Sequence, residues 1–209
     1  IFPGVATEWV RDYFRERVLA RRPGLAPFAG GAVGYIGYDA AQSFEPALRD
    51  DRTKALDSPV DAVWMFFRTT IAFDRVKQRM EIVSIVLTEE AQGSHERLRE
   101  LYEAAVARTL QLEHKVFDTN VMLPRPRVSE EQTQHVGLQS NWTRRDFEEG
   151  VRKVQEYIKA GDCYQAVLTQ RFSARYKGEP LAIYRALRAI NPSPYMFFLR
   201  MGDKTVNGA

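Results

Sequence analysis

The sequence predicts an α+β fold in which antiparallel sheets pack against helices. Three observations point there. Helix-like and strand-like segments follow one another in mixed order, without the repeated strand–helix–strand unit of a parallel sheet. Two runs rich in Val, Ile, Phe and Met, 61–73 and 78–87, are separated only by Asp74–Lys77, which is the pattern of a long hairpin. A second hairpin is legible near the carboxyl end, where Tyr195–Met201 and Lys204–Val206 flank Gly202-Asp203.

From the amino terminus, Thr7 is placed to cap a helix running to about Arg21, with Trp9, Val10, Tyr13, Phe14 and Val18 on one face. Pro23-Gly24 stops it. The segment PFAGGAVGYIGYD at 27–39 sets Gly30, Gly31, Gly34 and Gly37 among Val33, Tyr35, Ile36 and Tyr38. Repeated glycine in an apolar strand indicates a bend or a close backbone approach. Its GxxGxxG spacing also suits a phosphate loop, but no Lys-Ser/Thr pair follows and no clear strand and helix flank it, so phosphate binding is not expected. Ser94 to about Leu112 reads as a helix with Leu98, Leu101, Ala105 and Leu112 as its apolar stripe. The following stretch to Ser140 holds Pro124 and Pro126 with little periodicity. It reads as a linker, drawn at 119–140, between an amino-terminal lobe at 1–118 and a second lobe at 141–209.

In the second lobe, Thr143 and Asp146 have capping-box-like spacing, and Phe147, Val151, Val154 and Ile158 recur at helical intervals. Gly161 suits the left-handed turn that closes such a helix. Pro180 can start another helix, carrying Leu181, Tyr184, Leu187 and Ile190, which Asn191-Pro192 ends. Between the two helices, Cys163 to Tyr176 alternates as a strand does. Tyr164, Ala166, Leu168, Phe172, Ala174 and Tyr176 form a mostly apolar face, while Gln165, Thr169, Arg171, Ser173 and Arg175 dominate the other. Alone, that pattern describes a half-buried strand with its polar face in water.

Composition excludes several classes. In 209 residues, 44% hydrophobic content and 11% aromatic content describe a packed globular core rather than disorder. Thirty basic residues against 27 acidic leave a net charge of +3. The densest basic cluster, Arg11, Arg15, Arg17, Arg21 and Arg22, is interleaved with Glu8, Asp12 and Glu16. That is a solvated helix face, not the one-signed field of a nucleic-acid surface. No apolar run approaches membrane-spanning length. Cys163 is the single cysteine, which rules out an intrachain disulfide and a cysteine-rich zinc site. It reads as a small, half-buried strand residue rather than a nucleophile. Ile1 is not an initiator Met, so residues before it are expected to be missing.

Three motifs add a family. The segment SNWTRRDFEEGVRKVQEYIKAGDCYQAVLTQRFS, ending at Ser173, resembles the large, chorismate-binding subunit (component I) of anthranilate synthase, where a helix ending in GD leads into an FQVVLSQRF-type strand. YRALRAINPSPYMFFL, 184–199, is similar to that family nearly residue for residue, and GGAVGYIGYD, 30–39, resembles its amino-terminal portion. The motifs fall in the family's order and span most of the chain. GDCY, in place of a GD-Ile-Phe or GD-Ala-Phe form, resembles instead the sibling that makes aminodeoxychorismate for folate synthesis. NPSPYMFFL favours the tryptophan-pathway enzyme and carries more weight.

The resemblance implies a two-lobed sandwich of the chorismate-binding type, incomplete at both ends: part of a regulatory lobe, then the start of a chorismate-binding domain. It implies a cytoplasmic, Mg²⁺-dependent lyase that converts chorismate and ammonia to anthranilate and pyruvate. A glutaminase partner supplies the ammonia, tryptophan inhibits by feedback, and oligomer formation is left open. Gln165 falls on the active-site strand. Isochorismate synthases carry Lys at this place as a base toward water, a task an amide cannot perform. Asn191, Pro192, Pro194, Tyr195, Met196 and Phe197 match the part that holds tryptophan, two prolines fixing the turn and Tyr-Met-Phe offering flat, polarisable surface. The family's other tryptophan segment, of Leu-Leu-Glu-Ser type, is not found and is expected to precede Ile1. TVNGA approximates the strand leading to a Gly-Ala-Ser-Pro-Glu motif, with Asn207 where an apolar residue is usual. The family's Mg²⁺-binding glutamates, catalytic His and carboxylate-holding Arg are expected beyond Ala209, so no metal ligand is assigned and this chain alone is expected to be inactive. His95, His114 and His135 match none of them. A third reading, from another class, is a non-catalytic amino-acid-binding module.

Overall fold

The computed structural model describes residues 6–20, 22–48, 62–118 and 137–209. Contacts divide the chain into two units, residues 1–123 with 199–206 and residues 124–198 with 207–209. Most of the linker expected at 119–140, with Pro124, Pro126 and His135, lies outside the described residues, as does Arg21.

In the first unit, helix α1 spans Ala6–Phe14 and is shorter than the periodicity suggests. Thr7 lies inside it rather than at its cap. Arg17 explains the early end. Its guanidinium lies 3.8 Å over the Tyr13 ring and donates to the Tyr13 carbonyl, the acceptor a continuing helix would offer to the Arg17 amide. That amide turns to Phe14 O instead, at 3.2 Å. Pro23-Gly24 then makes the expected turn, with Gly24 at φ +89° and Leu25 N donating to Arg22 O at 3.3 Å.

Strand β1, Gly31–Ile36, pairs antiparallel with β2, Ala62–Phe67, placing Gly34 opposite Trp64. The run expected as one strand over 61–73 is therefore two. It breaks at Arg68, and β3, Thr69–Asp74, pairs with β4, Arg79–Ser84. Each half has a different neighbour, and Arg68 serves the break: its carbonyl accepts from Ile85 N at 2.7 Å, and its guanidinium holds Glu90 at 3.0 and 2.6 Å. The β3–β4 turn is closed by Asp74, whose Oδ1 accepts from Val76 N and Lys77 N at 3.1 and 2.9 Å.

Helix α2, His95–Phe117, begins where Ser94 Oγ accepts from Arg97 N at 3.2 Å. Its expected stripe faces inward, with Ala105 buried against a contact with β4. A chain of hydroxyls joins the two hairpin strands to the helix: Thr69 to Ser84 at 3.1 Å, then Ser84 to Thr109 at 2.9 Å. Among the described residues, the buried apolar side chains are Ala29, Ala91, Ala105 and Met201. Three are alanine, so elements approach closely while their larger apolar groups stay partly open.

In the second unit, helix α3 spans Arg144–Ala160. Thr143 Oγ1 accepts from Asp146 N at 3.1 Å, and Gly161 closes the helix at φ +85° while Asp162 N returns to Tyr157 O at 3.0 Å. Both ends match the sequence expectation. Helix α4, Pro180–Ile190, starts with its proline and stops at Asn191. Two-residue strands β5, Gln139–Ser140, and β6, Phe172–Ser173, pair antiparallel. Strands β7, Phe197–Met201, and β8, Lys204–Gly208, flank the expected Gly202-Asp203 turn, with Gly202 at φ +62°. The hairpin's residues fall in both units.

The strand expected over 163–176 is corrected. Only Phe172–Ser173 joins a ladder, and its apolar face is not buried: Tyr164 is 93% exposed, Phe172 57% and Tyr176 53%. An extended segment becomes a strand only where a neighbour takes its amides and carbonyls. Among the described residues, Cys163–Gln170 has no such neighbour.

Candidate functional site

The irregular segment after α3 is anchored at its far end. Asn141 N donates to Arg171 O at 3.1 Å, and Asn141 Oδ1 accepts from Arg171 N at 2.7 Å, so one asparagine satisfies both backbone groups of Arg171. Beside it, Ser140 Oγ accepts from Gln170 Nε2 at 3.0 Å and from Trp142 N at 3.0 Å. Leu168 is half-buried and would lie 3.4 Å from a Cβ added at Gly150, with the Trp142 ring at 3.7 Å, so Leu168 and Trp142 both pack over this point of α3. Trp142 in turn meets Phe147 edge-on at 6.0 Å. The segment thus leaves Gly161, is pinned at Leu168 and Gln170–Arg171, and is open between.

Gln165 lies in that open stretch. It is exposed, between half-buried Cys163 and Leu168, with exposed Thr169 and Arg171 at the alternate positions. Chemically, this is a backbone edge with free hydrogen-bonding groups and a line of polar side chains that neither gain nor lose protons near neutrality, ending in a guanidinium. The fixing role of Asn141 was not foreseen. It stands just before the helix cap, and nothing in the alternation of 163–176 points back to it.

The turn at 191–197 is the second predicted group. Asn191 N donates to Leu187 O at 2.8 Å and leaves the helical region before Pro192, at φ −138° and ψ 75°, in keeping with the bias of proline against a helical predecessor. Ser193 Oγ accepts from Tyr195 N at 3.4 Å. Asn191, Pro192, Pro194 and Tyr195 are exposed, Tyr195 at 86%; Met196 is half-buried and Phe197 is 43% exposed. Phe198 points the other way along the strand and meets Tyr184 of α4 edge-on at 5.8 Å. The turn therefore presents an aromatic and a thioether side chain on a strand whose alternate residue is fixed to a helix. Among the described residues, no group of three or more His, Cys, Asp or Glu side chains is placed to hold a metal ion, and no helix is long and apolar enough to cross a membrane.

The fold recurs in a solved structure. The fold matches the crystal structure of anthranilate synthase component I from Streptococcus pneumoniae TIGR4 with a TM-score of 0.70 at 24% identity, over all of this chain and 44% of that one. The mixed helix and antiparallel-sheet class is thereby shown. In sequence, the chain is 35% identical over 197 residues to probable anthranilate synthase component 1 of Schizosaccharomyces pombe, covering 93% of this chain and 38% of that protein. It is 34% identical over 210 residues to anthranilate synthase component 1 of Bacillus caldotenax, covering 98% and 40%. The chain spans about two fifths of the length of these curated relatives. Residues 5–209 match the chorismate binding enzyme family along almost the whole sequence, and the chain belongs to that family.

Proposed function

We propose that this chain is part of an anthranilate synthase component I, the subunit that converts chorismate and ammonia to anthranilate and pyruvate for tryptophan synthesis. The observation that carries the reading is the name shared by relatives matched over more than nine tenths of the chain. The open apolar surface supports it. Val167 at 81% exposure and Ile190 at 83% suit a protein in which further segments cover these faces.

In this reading Gln165 faces the reacting ring and positions it without acting as a base, because ammonia is already nucleophilic. Asn141 and Leu168 set the height of that segment, and Arg171 offers charge complementary to a carboxylate. Tyr195, Met196 and Phe197 take the indole of tryptophan, with Asn191, Pro192 and Pro194 fixing the turn. A glutaminase partner supplies ammonia, and the enzyme is cytoplasmic. Mg²⁺ belongs to the proposed reaction, where it supplies Lewis-acid chemistry. The described residues do not offer it a ligand set, so none of these roles runs through it.

The test is a product assay on the full-length protein with chorismate, ammonium and Mg²⁺. Anthranilate fluorescence is the expected result. Aminodeoxychorismate as the sole product would overturn the proposal and favour the sibling enzyme that the Cys163-Tyr164 pair resembles.

A further inference from the structure

The first unit encloses a cavity of about 410 Å³ between α1, the Gly30–Gly31 corner of β1, the end of β2 and residues 85–89. Neither Gln165 nor the 191–197 turn lines it. Its volume falls in the range of small-molecule sites. We infer that it binds a small planar aromatic carboxylate, with the ring against Tyr13, Phe14 and Phe66 and the carboxylate on Arg17.

The apolar wall is built from both sides. Tyr13 and Phe66 lie 4.7 Å apart between centroids, tilted by 59°, and Phe14 stacks on Phe66 at 6.1 Å and 24°. Trp9 stacks on Tyr13 at 5.4 Å and Arg17 lies over the same ring, so Tyr13 offers its edge while Phe14 and Phe66 offer the flat surface that suits another ring. At Gly31 an added Cβ would meet only the Phe28 ring, at 3.4 and 3.9 Å, whereas at Gly30 it would run into Ile85 Cδ1 and Phe67 O, so the free space lies at Gly31.

Arg17 supplies the polar end. Its planar face is on Tyr13, and its side chain is 28% exposed against 50% for its partner Glu89. Of its five N–H donors, three are engaged: Nε and Nη2 with Glu89 Oε1, and Nη1 with the Tyr13 carbonyl. Among the described residues, no partner takes the other two, which sit on a guanidinium already held in place. That is the donor geometry a carboxylate takes up with two bonds. Arg68 also borders the cavity, with the fork of its guanidinium occupied by Glu90. Glu16 and Glu89 stand at the exposed rim, which makes an amine the rival ligand.

Calorimetric titration of the intact protein with benzoate, benzamide and benzylamine tests the inference. Benzoate is expected to bind saturably, and benzamide, of the same shape without charge, at least tenfold more weakly. Arg17→Lys keeps the charge but loses the two-donor edge. Leu19→Trp fills the cavity from its lining and leaves every hydrogen bond in place. Each variant, once shown by melting to be folded, is expected to weaken benzoate at least tenfold while anthranilate formation stays at the parent rate. Absence of saturable benzoate binding overturns the inference. So does tighter binding of benzylamine, or benzoate binding that survives both variants, which would place it elsewhere on the protein.

Discussion

Gly34→Ala gives the sharpest test of the first unit, because a single methyl meets main chain there and not a movable side chain. A Cβ built at Gly34 would lie 1.8 Å from Val63 O, 2.8 Å from Val63 C and 3.0 Å from Trp64 Cα. No left-handed torsion is involved, so the cost is purely one of approach. Ordinary contact begins near 3.4 Å, so the two strands must part by roughly 1.6 Å along that line. Ladder bonds of ~2.9 Å then pass well beyond hydrogen-bonding distance. Losing two of them at ~1 kcal/mol each, with some overpacking of Trp64, amounts to about 3 kcal/mol. For a unit of this size, that is a fall of more than about 10 °C in melting temperature. The assay is thermal unfolding followed by circular dichroism, with amide exchange locating the loss in β1 and β2. A Gly34→Ala protein that melts within two degrees of the parent, with β1 protection intact, would refute the close approach.

Gly150→Ala should act in the opposite direction. The added methyl meets Leu168 Cδ1 at 3.4 Å in ordinary contact, and alanine is better than glycine inside a helix by ~1 kcal/mol, so the second unit should melt several degrees higher. Acid should loosen the first unit: the backbone amide of Lys77 holds Asp74 below its ordinary 3.8, and the Arg68 hydrogen bond holds Glu90 below 4.5. Both carboxylates are depressed on folding, so their stabilisation is complete above those values and fades as pH falls through the folded ones; Asp74→Asn should flatten the melting-temperature slope below about pH 4. In the full-length enzyme, Met196→Thr should weaken tryptophan inhibition roughly tenfold or more, for a lost contact of ~1–3 kcal/mol, with uninhibited turnover unchanged. Gln165→Lys should lower anthranilate formation and yield some isochorismate, read by chromatography on a variant shown to be folded; normal anthranilate synthesis would place Gln165 away from the chemistry.

Local chemistry was legible in the sequence wherever one residue could determine an outcome by itself. Thr143, Gly161 and Pro180 each act within one helical turn and do what their own geometry dictates, whereas Thr7, expected as a cap by the same reasoning, lies inside α1. The Asp74 and Gly202-Asp203 turns are of the same kind. What stayed hidden depends on partners far away in the chain. The run at 61–73 is uniformly apolar, so nothing within it marks Arg68 as the place where one half turns to β1 and the other to β4. Likewise α1 ends early where Arg17 turns onto the Tyr13 carbonyl while also holding Glu89, seventy-two residues on. The candidate site shows the same division. Alternation over 163–176 foretold a strand of which only Phe172–Ser173 forms, and a buried face that is open, because pairing and burial are both properties of the neighbour. Tyr164 and Val167 remain open, while the residues that do hold the segment, Asn141 and Ser140, act from across the helix. A polar line that is anchored at one end, open along its length and backed by exposed apolar side chains has the form of half a cleft. Its chemistry then depends on what closes over it, which is why Gln165 and Met196 are tested in the full-length enzyme, whereas Gly34 and Gly150, whose contacts are all in place, report on each unit by itself.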